Sequence, residues 1–304
     1  MIASCSGNDG SLAELRTAAS RECGWLPPPA PSLGRAEDLF VRTLRRDGQD
    51  LPGLQDAWRD LHMELIPLRE GDAEYLVLRE PETEKAGRGF YAFRLGPAPA
   101  IALEAPHSAF DKHTGEIAVL LLQEGRLMAG AWSTAPRAKA DLAHLPQSWF
   151  QSFTAAWARA CPGGVILQLH GFEQGKRKSD SAAEADMILS GCGVDPPAWL
   201  KKMSDGLKRR LSGVVKLYPD DVKDLGGTAN AQAQLLRGAN FDGFAHIEMS
   251  VELRRRLVEE QPLRKTFLEC IGSAAGEARP KDGGRADGAA PPPPGGIAGP
   301  EEKR

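Results

Sequence analysis

The sequence predicts an α/β fold, a three-layer sandwich in which helices cover both faces of a mixed, largely parallel β-sheet. Three observations lead to it. From Thr114 onward, short apolar runs alternate with helix-like stretches, the rhythm of strand and crossover helix. The run Val165 to Leu169 is apolar but for one Gln and Phe244 to Met249 reads as a strand, and apolar strands alternating with helices imply a sheet covered on both faces. The chain of 304 residues is 41% apolar and 26% charged, which is ordinary for a globular protein with a substantial core.

In chain order, residues 1–35 read as a flexible N-terminal segment with the prolines between Pro27 and Pro31 as a linker. Residues 36–273 form one α/β hydrolase-type domain. Residues 274–304 are a disordered tail, since Pro, Gly, Ala and charged residues bury too little apolar surface to offset the cost of ordering. Two amphipathic helices, Ala36 to Arg46 and Pro52 to His62, are expected ahead of the first strands as a lid or packing layer. Runs rich in β-formers follow at Tyr75 to Leu78, Phe90 to Phe93 and Ala100 to Leu103. Gly87, Gly89, Gly96, Pro97 and Pro99 separate them, suggesting a meander. Thr114 to Glu124 and Gln147 to Ala160 are helical, and Arg126 to Trp132 and Val165 to Leu169 are strands. Helices are predicted at Ala182 to Leu189, Trp199 to Leu211 and Asn230 to Leu236, with strands at Val214 to Leu217 and Phe244 to Met249. Ser250 is placed to cap a helix through Glu260, and Pro262 to open the last one.

Several function classes drop out. Lys and Arg total 38 against 41 Asp and Glu, a formal net charge of −3, so no basic field draws the chain to nucleic acid. No window approaches the roughly 20 apolar residues of a transmembrane helix. Gly87-Arg88-Gly89 lies between two β-like runs and opens no helix, so it is no dinucleotide fingerprint. Gly171 to Lys176 is one residue short of a phosphate-binding loop. There is no Gly-x-Ser-x-Gly nucleophile elbow and no Cys-x-x-Cys pair.

Ile2-Ala3-Ser4-Cys5 looks like a bacterial lipobox without the basic and apolar stretch that should precede it. Two expectations follow. If the recorded start lies inside a longer signal peptide, Cys5 is lipidated, the protein is a cell-envelope lipoprotein, and Cys23, Cys161, Cys192 and Cys270 are free to pair. Otherwise the protein is cytoplasmic with four buried thiols.

Open α/β sheets place ligands at the carboxyl ends of their strands, and three apolar runs end in chemically capable residues. These are Leu103-Glu104-Ala105-Pro106-His107 with Asp111 and Thr114, Leu167-Gln168-Leu169-His170, and Ala245-His246-Ile247-Glu248. A catalytic zinc takes three nitrogen or oxygen ligands and leaves one position open. His107 and Asp111, four apart in one loop, with His170 from a neighbouring strand, supply such a set, and His113 is an alternative to Asp111. The ion lowers the pKa of its water towards about 7, and Glu248 is the carboxylate assigned to move that proton as general acid/base. His144 and His246 are assigned to orient the ligands from outside. The plainer readings are structural histidines and a Glu248 paired with Arg254 to Arg256. Glu104 is either an outer acceptor or an inward polar residue.

These residues resemble the zinc carboxypeptidase-like hydrolases, in particular the N-formylglutamate amidohydrolase and poly-γ-glutamate hydrolase branch. The resemblance rests on Pro106-His107-Ser108 with Asp111 and Thr114, on Leu169-His170-Gly171, and on His246 to Ser250 with Arg254 behind, spanning about Ala100 to Arg256. It implies a phosphorylase/hydrolase-like sandwich on an eight-stranded sheet, with Zn2+ held by His107, Asp111 and His170 and Glu248 as the acid/base. The chain departs from the family's first ligand pair by carrying Asp after three intervening residues in place of Glu after two. No arginine matches a substrate-carboxylate clamp by motif; Arg137 and Arg254 are the ones considered. The resulting expectation is a zinc-dependent hydrolase of γ-glutamyl, peptide or N-acyl amino acid amides. An ester-cleaving enzyme at the same centre, or a non-catalytic surface lipoprotein binding a partner or cell-wall fragment, are the alternatives.

Overall fold

The computed structural model describes residues 10–45 and 50–276. Nine strands form one sheet: β1 (Glu64–Glu70), β2 (Ala73–Arg79), β3 (Phe90–Arg94), β4 (Ile101–Ala105), β5 (Ala129–Trp132), β6 (Val165–Gly171), β7 (Met187–Ser190), β8 (Val215–Leu217) and β9 (Phe244–Met249). Their spatial order is β1-β2-β3-β5-β4-β6-β9-β7-β8. The central strands β5, β4, β6 and β9 run parallel, β1 to β3 add an antiparallel ribbon on one side, and β7 turns antiparallel to β9 on the other. The expected mixed α/β sandwich is therefore present, with nine strands where the resemblance implied eight.

Helices cover both faces. On one lie α1 (Leu12–Ser20), α4 (Thr114–Glu124), α7 (Ala198–Arg210), α9 (Val251–Glu259) and α10 (Gln261–Ala275), packed on Leu103, Leu167, Leu169, Ala245 and Ile247. On the other lie α2 (Ala30–Arg45), α3 (Leu51–Arg59), α5 (Trp149–Ala160) and α8 (Ala231–Gly238), packed on Leu76, Leu78, Ala102, Ile166 and Phe244. The two apolar sets alternate along β6 and β9 because successive strand residues face opposite ways.

The local chemistry explains most boundaries. Ser148, Asn230 and Ser250 each accept a hydrogen bond from a backbone N–H in the first turn of the helix they cap. Four expectations are corrected. Residues 12–20, inside the stretch read as flexible, form α1, closed by a Ser11/Glu14 capping box and burying Leu12, Leu15 and Ala19. The proline cluster runs into α2, which starts at Ala30 with Pro31 in its first turn, where a missing N–H costs nothing. The meander ends at β3, because β4 pairs with β5 and β6 as a parallel strand. The helix predicted over Ala182 to Leu189 is a single turn, α6 (Asp180–Ala183), followed by β7, whose apolar Met187, Ile188 and Leu189 are claimed by the sheet. The edge strand β1 escaped notice because Pro67 interrupts it, and an edge tolerates proline. Cys5 and residues 277–304 lie outside the described residues. Cys23, Cys161, Cys192 and Cys270 are free thiols, not disulfide partners.

Candidate active site

Polar residues on the α5/α8 face occupy the carboxyl ends of the parallel strands in two cross-strand rows. Glu104 of β4 is in register with Gln168 of β6, Gln168 with His246 of β9, and His246 with Ser190 of β7. One step further along, His170 is in register with Glu248. The period of two sets this, since Leu167, Leu169 and Ile247 between them point into the opposite core. The loop after β4 then folds over the strand ends. Asp111 N–H donates to the His107 carbonyl at 2.9 Å, and this turn brings the two side chains to the same side. Thr114 Oγ1 donates to the Asp111 carbonyl and ties the turn to the start of α4.

His107, Asp111 and His170 thereby converge. His107 Nδ1 lies 3.3 Å from Asp111 Oδ2, and His170 Nδ1 lies 3.8 Å from the same oxygen. The two imidazoles meet edge to face at 5.1 Å between ring centres. Donors roughly 2.0 to 2.1 Å from a tetrahedral ion lie about 3.3 to 3.5 Å apart, so the first separation is already that of a chelate and the second is a few tenths wider. Gly171 N–H donates to Asp111 Oδ2 at 3.0 Å, fixing the carboxylate against the end of β6.

Each imidazole is oriented by a partner on its far side. His107 Nε2 is 2.8 Å from Asp141 Oδ1, which leaves Nδ1 facing the cluster. For His170 the orientation is set by a chain of amides. Asn230 Oδ1 caps α8 by accepting from Ala233 N–H, so its NH2 turns to Gln168 Oε1. Gln168 Nε2 donates to Glu104 and Gln232. Its Oε1, 2.9 Å from His170 Nε2, therefore accepts the N–H of that ring, and the Nδ1 lone pair faces Asp111. A helix cap thus selects a histidine tautomer. His246 stacks on His170 with ring centres 4.5 Å apart, its Nδ1 3.3 Å from Ser190 Oγ.

Glu248 borders this cluster with Oε1 3.8 Å from His246 Nε2, while its Oε2 is buried without a hydrogen-bond partner. Burial, and then the charge of Asp111, push its carboxyl up to about 8, with Arg177, Arg254 and Arg137 pulling the other way. Burial and the neighbouring histidines hold His170 well below the ordinary imidazole range, and burial and then His107 hold His246 near 4. Both rings are therefore neutral at pH 7, the form in which an imidazole can bind a metal. In Asp141, burial raises the carboxyl, but hydrogen bonds and charge from His107 and then His144 more than offset it, leaving a net lowering.

A cleft of about 670 Å³ opens over these groups, lined on its rim by Lys112, Arg137, Lys176, Arg177 and Arg254. Arg137 reaches Asp111 Oδ1 and Asp141 Oδ2, both at 3.4 Å, and lies over the Phe110 ring. Arg177 carries a buried Nε with no partner.

No protein-family profile matches the chain, and no curated protein matches it. Among solved structures, its path is similar to that of the gene product Atu2144 from Agrobacterium tumefaciens, at 13% identity over 59% of this chain and 91% of that one, with a TM-score of 0.41. It is similar to a bacteriophage poly-gamma-glutamate hydrolase at 13% identity over 73% of this chain and 94% of that one, with a TM-score of 0.35. A succinylglutamate desuccinalase from Vibrio parahaemolyticus follows at 9% identity, 72% and 80% coverage and a TM-score of 0.41.

Of the residues singled out in the sequence, His107, Asp111, His170, His246 and Glu248 come together around the floor of the cleft. His144 stands behind Asp141 at 3.2 Å and is half-exposed. His113 does not join them. It sits in the left-handed region at φ 74° before α4, and its ring faces Glu116. The Arg254 guanidinium donates to the carbonyls of Met249, Ser250, Lys112 and Phe172. It is a buried brace holding three strand-end loops. Sequence reasoning missed Asp141, Gln168 as an orienting group, Asn230 and Arg177. Only Gln168 had a visible signal, a lone amide inside an apolar strand.

Proposed function

We propose that this protein is a metal-dependent hydrolase of amide bonds whose ion, Zn2+ by the donor chemistry, is held by His107, Asp111 and His170. The observation that carries the reading is the convergence of two oriented imidazoles and a carboxylate beside Glu248, whose Oε2 is buried and unpartnered. The donors fit a divalent cation of borderline softness, and the orphaned oxygen needs a polar companion in the cleft. The three motifs that resemble zinc carboxypeptidase-like hydrolases are those whose side chains meet.

When bound, the ion supplies Lewis acidity and lowers the pKa of water towards about 7. Glu248 is the group that would take a proton from the attacking water and pass it to the leaving nitrogen. Asp141 and Gln168 keep the lone pairs of His107 and His170 aimed inward. Lys176 is paired with Glu173, while its neighbour Arg177, with its buried unpartnered Nε, gives the cleft rim a positive group. This favours a substrate carrying a carboxylate, as γ-glutamyl compounds, peptides and N-acyl amino acids do.

Metal analysis of the purified protein tests the reading. About one equivalent of zinc is expected, lost in His107→Ala and His170→Ala, together with hydrolysis in a screen of carboxylate-bearing amides. A folded protein that binds no ion and is indifferent to both substitutions would refute it.

A further inference from the structure

We propose that Phe110 and Val251 form an apolar subsite at the mouth of the cleft, and that the protein selects amides whose acyl half is aromatic or aliphatic and whose amine half carries a carboxylate. This rests on the hydrolase reading and narrows its substrate class. Among the described residues five large apolar side chains are left exposed, and two of them, Phe110 at 67% and Val251 at 49%, line this one cleft. A lone exposed apolar residue is ordinary. Two at the entrance of a pocket whose floor is polar give it the apolar contact area that small-molecule sites use.

Phe110 is held in place. It lies between His107 and Asp111 in sequence, and its N–H and that of Asp111 both donate to the His107 carbonyl at 2.9 Å. The turn that brings His107 and Asp111 together therefore also fixes the backbone that carries the ring. The Arg137 guanidinium lies over the ring with Cζ 5.0 Å from its centre, and its charge is met by Asp111 Oδ1 and Asp141 Oδ2, both at 3.4 Å. Val251 opens α9, whose buried side is made by Leu253, Arg254 and Leu257, so its own side chain is left on the cleft. Arg254, one turn further on, donates to the Lys112 carbonyl, and this bond ties the start of α9 to the loop that carries Phe110. Arg177, with its buried, unpartnered Nε, comes from elsewhere, in the segment that follows β6. The two halves of an amide are thus met by different segments of the chain. Of the substrates considered above, N-acyl amino acids match that division, because the acyl half of a γ-glutamyl compound carries charge of its own.

Calorimetric titration of the full-length wild-type protein, supplied with one equivalent of Zn2+, tests the subsite. The probes are N-benzenesulfonyl-L-glutamate and N-methanesulfonyl-L-glutamate, which share an amine half and contain no amide bond to cleave. The benzenesulfonyl compound is expected to bind at least about 10-fold more tightly. Phe110→Ala should remove that preference with zinc content unchanged, and Phe110→Leu should keep most of it. Equal affinities in the wild type, no binding of either compound, or a preference that survives Phe110→Ala overturns the inference. Hydrolysis of N-benzoyl-L-glutamate and N-acetyl-L-glutamate should follow the same order. A protein that shows the binding preference but cleaves neither amide would overturn the hydrolase reading and leave the subsite standing.

Discussion

Glu104→Gln should make the protein more stable at alkaline pH than at acid pH relative to wild type. Glu104 is wholly buried in β4, and burial pushes its carboxyl from 4.5 up to about 7 despite hydrogen bonds from Thr154 at 2.6 Å and Gln168 at 2.8 Å. The shift is upward, so the folded state binds the proton more tightly than the unfolded state. Below about pH 4.5 both states are protonated and the group costs nothing. As pH rises towards 7 the unfolded chain ionises first and stability is lost, and above 7 the loss is constant. Between pH 5 and pH 8 the linkage amounts to about 2.5 kcal/mol. Glutamine is neutral throughout and fits the same contacts. Its carbonyl can take the Gln168 N–H and its NH2 can face Thr154, whose hydroxyl turns to the Phe150 carbonyl at 3.2 Å. Urea unfolding of both proteins at pH 5, 6, 7 and 8 reads the difference directly. The stability gap between variant and wild type should widen by about 2.5 kcal/mol across that range. A gap that stays flat with pH would refute the assignment of a protonated buried carboxyl to this strand.

Three further outcomes follow from the site and its supports. Glu248→Gln should keep the bound zinc and lose about 10²- to 10⁴-fold in kcat on an amide found by screening, because only the proton-transfer group is removed; undiminished turnover would show that another residue moves the proton. Asp141→Asn should weaken zinc binding about 10- to 100-fold in chelator competition with the ligands all present, since His107 Nε2 loses its carboxylate partner. Gly171→Ala should lower stability by about 2 kcal/mol in thermal or urea unfolding. A Cβ at that position would lie 2.4 Å from Arg254 Cζ, and the guanidinium can retreat only by giving up its carbonyl partners.

The sequence by itself determined the layered α/β architecture from the strand–helix rhythm, and it marked the strand ends that carry chemistry. The helix Thr114–Glu124 and the Ser250 cap were legible because each is fixed by contacts within a few residues, and the strand Phe244–Met249 because its residue types favour a strand, although its ladder partners lie on the distant β6 and β7. Tertiary structure alone decided the rest. Met187 to Ser190 became a strand because an open sheet edge beside β9 outweighed a helical pattern too short to stand alone. Arg254, considered for substrate binding without any motif to support it, braces carbonyls from three loops, a role that exists only once those loops meet. Asp141, 34 residues beyond His107, and Asn230, 62 residues beyond Gln168, orient the imidazoles across distances that no local pattern records. Residue types along the chain fix which groups can bind a cation. Which nitrogen carries the lone pair, and which carboxylate is left without a partner, depends on hydrogen bonds between distant segments, and these are formed only by the fold.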